Sequence, residues 1–293
     1  DTYGFTAKNM KDVSLNCFDF LLQPCPVNHP LKLEGKGKEY RYSLFGPVTE
    51  RNKEDKERAR RKNQISEQEK VVLITSALWQ KNYREYKNVD SFIKICQSCL
   101  ENLLLNLSGK IRIISVGSQF LFRDSTCPGF THFDKMLPTD FNELVNACDL
   151  FISNNYISTS MLRIALKGVP VILLSNSFLK KNGSYRWVDS DKSYQPSVLK
   201  KCDYTYPFRM FPVGWYRFLE HIVQENPIYE IVARGEWFEE KKTLAIINKI
   251  LESGTKEFRD LRMRYKSSLD ILPDVREIMV DIDRKYYSKE GII

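Results

Sequence analysis

Short apolar runs rich in β-branched residues alternate with longer stretches whose apolar positions recur at helical spacing, and this alternation fills the middle of the chain. The runs Val71–Thr75, Ile111–Val116, Leu150–Ser153 and Val169–Leu174 read as buried strands. Between them, Asp90–Leu107, Phe141–Ala147 and Ser158–Lys167 read as helices. Strands and helices in this order predict βαβ units, and so an α/β fold built on a doubly wound parallel sheet. Three further helices are expected at Trp215–Gln224, Glu239–Leu251 and Thr255–Leu272, the last long and amphipathic.

The pattern is different on the N-terminal side. Residues 14–30 hold one strand-like stretch that is closed by Pro24, Pro26 and Pro30, as at the exit from a sheet. From Glu50 to Lys70 nearly every residue is charged or amidic and no apolar stripe offers itself for packing. That segment reads as a solvated helix or a linker, and its interspersed acids argue against a polyanion-binding arm.

Composition narrows the classes. The 293 residues are 42% hydrophobic and 28% charged, with a net charge of +8. Such a balance suits an anionic partner: a nucleotide diphosphate, a nucleic acid or an acidic membrane surface. No nucleic-acid-binding motif accompanies the basic residues, so no nucleic acid is expected. No apolar run approaches the ~20 residues of a membrane span. The start at Asp1 reads neither as a signal peptide nor as a translation start. Seven cysteines without a framework point to a reducing, cytoplasmic setting. Cys96 and Cys99 form a C-x-x-C, but they sit within the helical pattern of Ser91–Leu105 and read as packed thiols. No His, Asp, Glu or Cys set has metal-ligand spacing, so metal-independent chemistry is expected.

The segment from Asp149 to Leu174 is the most informative. A buried strand ends in a polar loop with Asn154 and Asn155, then Ser158, Thr159 and Ser160 open a helix that closes at Gly168. Hydroxyls and unpaired amides at a helix start attract an anion, and in open α/β sheets ligands bind beyond the carboxyl ends of the strands. A diphosphate suits that place, although Ser158 also suits a simple N-cap. Farther on, the aromatic stretch Tyr206–Leu219 reads chiefly as a packing hub for the C-terminal helices, with Arg209 as an outer phosphate-binding candidate. Of the histidines, His132 is a candidate ligand contact, whereas His221 reads as structural.

Cys148-Asp149-Leu150-Phe151-Ile152-Ser153 and Ala165-Leu166-Lys167-Gly168-Val169-Pro170 resemble the donor-binding lobe of the two-lobed GT-B glycosyltransferases. The likeness spans residues 70–178, with Val71–Ser76 placed as the lobe's first strand and phosphate-side loop. His132–Leu137, including Met136, is placed as the loop that frames the base. The resemblance implies a Rossmann-like lobe at 71–252 that binds a nucleotide-diphosphate sugar as donor substrate, UDP-linked or otherwise, with no cofactor. It further implies that residues 1–48 end a first, acceptor-binding lobe, that 49–70 is a charged linker, and that 253–293 is a helical extension. A separate chain supplying the acceptor lobe is an expected partner. The implied donor-site residues are Ser76, His132, Met136, Asn154, Asn155, Ser158, Thr159, Ser160 and Arg163, with Thr75, Trp79, Gln80 and Arg209 as outer candidates. No catalytic residue is assigned, since in these enzymes the base usually comes from the first lobe. Arg163 departs from the pattern, because many members carry there a Glu that holds sugar hydroxyls; an Arg would instead hold phosphate. The same pattern occurs in nucleotide-sugar 2-epimerases and in non-catalytic binding subunits, which stay as alternatives. Pro212–Leu219 and Asn226–Tyr229 also resemble an uncharacterised bacterial GT-B-like family associated with natural-product biosynthesis.

Overall fold

The computed structural model describes residues 19–30, 39–76, 87–118, 121–122, 127–181, 184–187 and 226–287. Two short strands, β1 (Leu21–Cys25) and β2 (Glu39–Ser43), pair in parallel ahead of the main sheet. That sheet contains β3 (Lys70–Ser76), β4 (Ile111–Gly117), β5 (Phe130–Phe133), β6 (Leu150–Ser153) and β7 (Val171–Ser175). An antiparallel hairpin, β8 (Phe178–Lys181) and β9 (Ser184–Trp187), precedes its last strand, β10 (Ala233–Glu236). The spatial order is β10-β7-β6-β3-β4-β5, and every pair is parallel. The chain therefore winds outward from β3 to β5, returns to β6 on the other side of β3, and winds outward again to β10. The reversal between β3 and β6 is a topological switch point, beyond whose carboxyl ends such sheets bind ligands.

The described residues form seven α-helices: α1 (Lys53–Lys62), α2 (Lys87–Leu105), α3 (Pro138–Ala147), α4 (Thr159–Leu166), α5 (Glu240–Ser253), α6 (Arg259–Asp270) and α7 (Val275–Ile282). Strand residues alternate between two core layers, as a period of two requires. Val71, Leu73, Phe151 and Leu173 pack with Leu144 and Val145 of α3, Met161 and Leu162 of α4, and Tyr265 of α6. Val72, Ile74, Ile152 and Ile172 pack with Phe92, Ile93 and Leu100 of α2 and Ile247 of α5. Each fully buried aliphatic side chain contributes about 1.5–3 kcal/mol, so these two layers supply most of the sheet's hold on its helices.

The predicted strands at 71, 111 and 150 lie in β3, β4 and β6, and the doubly wound class is the observed one. The run from Val169 joins the sheet only at Val171, because Gly168 (φ 78°) and Pro170 spend the preceding residues on the turn out of α4. The long helix expected over Thr255–Leu272 is broken into a 3₁₀ turn, Lys256–Phe258, followed by α6. Trp215–Gln224 lies outside the described residues.

The charged stretch expected as a solvated helix or a linker is a helix with most of its residues exposed, but one edge of it is packed. Asn52 and Asp55 form a reciprocal capping box that starts α1, and the helix turns Ala59 and Arg60 inward. Lys56 Nζ and Arg60 Nη1 bond the two oxygens of Asp149 at 2.5 and 3.0 Å, and the same carboxylate accepts the Val71 amide at 2.8 Å. Arg51 Nη1 donates to the carbonyl oxygens of Asn146 and Cys148, closing the C-terminal end of α3. In a parallel α/β fold the helix C-termini collect at the amino edge of the sheet, where cations complement their partial negative charge. The basic residues before β3 serve that purpose.

Candidate functional site

At the carboxyl ends of β3, β4 and β6 lies a cavity of about 570 Å³. Its polar wall comes from Thr75 and Ser76 at the end of β3, and from Ser153, Asn155 and the start of α4. Its apolar wall comes from Val116 of β4 and from Met136, Phe141 and Ile157, which also pack against the core. Among the described residues that line it, none carries a formal charge.

Local hydrogen bonds determine which of these polar groups are free. Ser153 Oγ donates to the Asn155 carbonyl (3.2 Å) and accepts the Asn155 amide (3.1 Å), while Asn155 Oδ1 accepts the Ile157 amide (3.1 Å). Together they shape the turn out of β6. Ser158 Oγ accepts the Met161 amide at 3.2 Å as the N-cap of α4. Ser76 Oγ donates to the Ser118 carbonyl. That close approach requires Gly117 (φ 108°), where a Cβ would collide with the Ser76 carbonyl oxygen. The groups left over are the hydroxyls of Thr75, Thr159 and Ser160 and the first amides of α4, those of Thr159 and Ser160. They converge on the cavity from the positive end of a helix, an arrangement suited to an anion.

The structure thus brings together Thr75, Ser76, Met136, Asn155, Ser158, Thr159 and Ser160 from the sequence-derived set. It does not bring His132, Asn154 or Arg163 to the cavity wall. His132 belongs to the edge strand β5 rather than to a loop, and its Nε2 lies 3.1 Å from Asp134 Oδ1. Arg163 is exposed one turn farther along α4, where its charge acts on Lys167. Burial foremost, then Arg163 and Arg51, lower the Lys167 ammonium from its ordinary value. Trp79, Gln80 and Arg209 lie outside the described residues. Val116, Pro138, Phe141 and Ile157 were not anticipated. Their signal was available in principle, since Val116 lies near the end of β4, Pro138 and Phe141 in the first turn of α3, and Ile157 between β6 and α4.

Two other features bear on the chemistry. Asp149, the acid of the recognised motif, is not a ligand group. Burial would raise its carboxyl, but Lys56, the Val71 amide and Arg60 outweigh that and hold it below the usual carboxylate range. Glu236, at the carboxyl end of β10, is pushed up to about 8, first by burial and then by the Glu239 charge, against the bonds from Ser177. Its Oε2 accepts the Ser177 amide at 3.0 Å, while its buried Oε1 has no partner. Cys96 is buried in α2, and burial, then Glu240, push the Cys99 thiol up to about 11. Among the described residues no cluster of His, Cys, Asp and Glu could hold a metal ion, and no helix is long and apolar enough to cross a membrane.

A doubly wound parallel sheet with a cavity at its switch point is the arrangement of a Rossmann-like lobe. The chain belongs to the family described as "Family of unknown function (DUF6365)", which matches residues 1–289. Among curated proteins, none matches the sequence. The solved structures that the chain resembles include glycosyltransferases. The spinosyn rhamnosyltransferase SpnG is 10% identical, with a TM-score of 0.45 over 90% of this chain and 56% of that one. The glycosyltransferase VinC, solved in complex with DTDP, is 12% identical, with a TM-score of 0.43 over 86% of this chain and 49% of that one. The Anabaena protein HepE, solved with UDP and glucose, is 15% identical, with a TM-score of 0.39 over 86% of this chain and 57% of that one. The chain spans about half the length of these structures.

Proposed function

We propose that the cavity at the carboxyl edge binds the diphosphate of a nucleotide sugar and that the protein takes part in transferring the sugar to an acceptor. One observation carries this reading: unspent hydroxyls and amides of Thr159 and Ser160 converge on a cavity at the switch point of the sheet. The diphosphate would lie against the start of α4. The base and ribose would lie along Val116, Met136 and Phe141, an apolar wall that suits a flat ring. In transfer, the bond between the anomeric carbon and the diphosphate oxygen breaks, a bond from the acceptor oxygen forms, and the acceptor's proton passes to a base. The helix-end amides stabilise the departing diphosphate, so no resident metal or cofactor enters the proposal.

A second reading is a donor-binding subunit that needs another polypeptide for turnover. The absence of a carboxylate or histidine from the described cavity wall favours it, because no described residue there is placed to act as base. One experiment separates the two. The chain is incubated with UDP-, dTDP- and GDP-sugars in EDTA, and release of free nucleotide diphosphate is followed with and without candidate acceptors. Turnover by the chain alone supports the transferase; saturable binding without turnover supports the subunit. No binding by any nucleotide contradicts both.

A further inference from the structure

The opposite edge of the sheet holds a second cavity, of about 320 Å³, between the start of β3, the turn before β7, the end of α5 and the start of α6. At about 30 Å³ per water, it has room for roughly ten waters. Six cations and two carboxylates line it. Two of the cations are neutralised by ion pairs, Lys56 with Asp149 and Arg262 with Glu50. The side chains of Lys70, Lys256 and Arg259 have no hydrogen-bond or ion-pair partner among the described residues. Arg51 donates only through Nη1, to carbonyl oxygens, and its remaining donors are unspent.

Helix capping accounts for part of this charge. Three unspent cations, together with Arg51, which is partly spent on the C-terminal carbonyls of α3, face one unspent carboxylate, Glu252, and the C-terminal ends of α4 and α5, each worth about half a negative charge. A surplus of about one positive charge remains, beside the spare donors of Arg51. Two of the cations also stand where a helix disfavours them. Lys256 opens the 3₁₀ turn and Arg259 opens α6, at a positive helix end that no side chain caps. The acids of that turn, Glu257 and Asp260, do not line the cavity.

We propose that this cavity is a binding site for a phosphate dianion, free in solution or carried by a small phosphomonoester, and distinct from the nucleotide cavity. The anion sits between Arg51 and Lys70 on one side and Lys256 and Arg259 on the other, where it neutralises the surplus charge. Bound there, it ties α6 to the amino edge of the sheet and stabilises the C-terminal helices. The inference does not depend on the nucleotide reading, because the two cavities lie at opposite edges of the sheet.

The test is calorimetry and thermal melting with inorganic phosphate and with glycerol 3-phosphate, at constant ionic strength against chloride. Wild type should show saturable binding, and the double variant Lys256→Gln/Arg259→Gln, altered at exposed positions, should weaken it by about tenfold or more. The variant Thr159→Ala/Ser160→Ala should leave it unchanged. Tighter binding of glycerol 3-phosphate than of inorganic phosphate identifies a phosphomonoester; the reverse identifies the free ion. Stabilisation no greater than that from chloride, or a response lost in the Thr159/Ser160 variant and kept in the Lys256/Arg259 variant, overturns the proposal.

Discussion

The two edges of the central sheet use polar residues in opposite ways. At the amino edge, Arg51, Lys56, Arg60 and Asp149 bond one another or the ends of strands and helices. At the carboxyl edge, no formal charge lines the cavity among the described residues, and the free groups are hydroxyls and amides. Both follow from one geometric fact: the helices that connect parallel strands run antiparallel to them, so they place their C-termini at the amino edge and their N-termini at the carboxyl edge. The amino edge needs cations for closure. The carboxyl edge supplies its own partial positive charge and can stay open for a ligand.

The comparison can be broken most severely at Asp149. Replacing it with Ala leaves the Arg60 guanidinium, whose side chain is only 11% exposed, without its carboxylate and held by backbone carbonyls alone, and frees Lys56. A loss of about 3–5 kcal/mol is expected in denaturant titration. Nucleotide affinity of the folded fraction should not change, since Asp149 does not line the upper cavity. If Asp149→Ala melts like wild type, the amino edge is not held in this way.

Glu236 comes next. Its carboxyl stays neutral in the fold up to about pH 8, but it ionises in the unfolded chain near 4.5. A carboxyl raised on folding stabilises below its unfolded value, and stability declines as pH rises from about 4.5 to about 8. Glu236→Gln removes that decline, so the variant should gain more in Tm over wild type at pH 8.5 than at pH 5. Equal gains at the two values would place the carboxyl in water.

Gly117→Ala should cost about 1–3 kcal/mol, because the residue needs a positive φ and its Cβ would strike the Ser76 carbonyl. The same change should disturb the upper cavity, whose wall includes Ser76. Wild-type stability for this variant would mean that β3 and β4 part without consequence.

The smallest effect sharpens the comparison within α4. Ser158→Ala should cost about 1 kcal/mol of stability as a lost cap. Because its oxygen is already occupied by the Met161 amide, nucleotide affinity should barely move. Thr159→Ala/Ser160→Ala should do the converse, leaving stability alone and weakening nucleotide binding by about 1–3 kcal/mol. Equal effects of the two variants on affinity would show that cap and ligand roles are not separate.

How much of this the sequence disclosed depends on how each residue is buried. β3, β4, β6 and β7 were legible because strands of a parallel sheet are covered on both faces and read as continuous apolar runs. β10, Ala-Arg-Gly-Glu, was not, since it lies at the sheet's edge and one of its four positions is buried. β5, Phe-Thr-His-Phe, passed for a loop for the same reason. The charges of α1 were plain, but their partner Asp149 lies 89 and 93 residues away, a distance that no local pattern bridges. In the cavity, the Ser-Thr-Ser cluster announced a helix start suited to an anion. Which of its hydroxyls are spent on the backbone became visible only from the hydrogen bonds at Ser153, Asn155 and Ser158.

The central claim is that a nucleotide diphosphate binds at the carboxyl edge, and methyl-resolved NMR titration tests it most directly. UDP, dTDP, GDP, ADP and CDP would be added in turn while the methyl signals of Val116, Met136 and Ile157 are followed. The account predicts saturable shifts of these three signals with one nucleotide family, lost in the Thr159→Ala/Ser160→Ala variant. Silence of all three across the panel, or shifts confined to Ile250 and Leu251 at the amino edge, would contradict it.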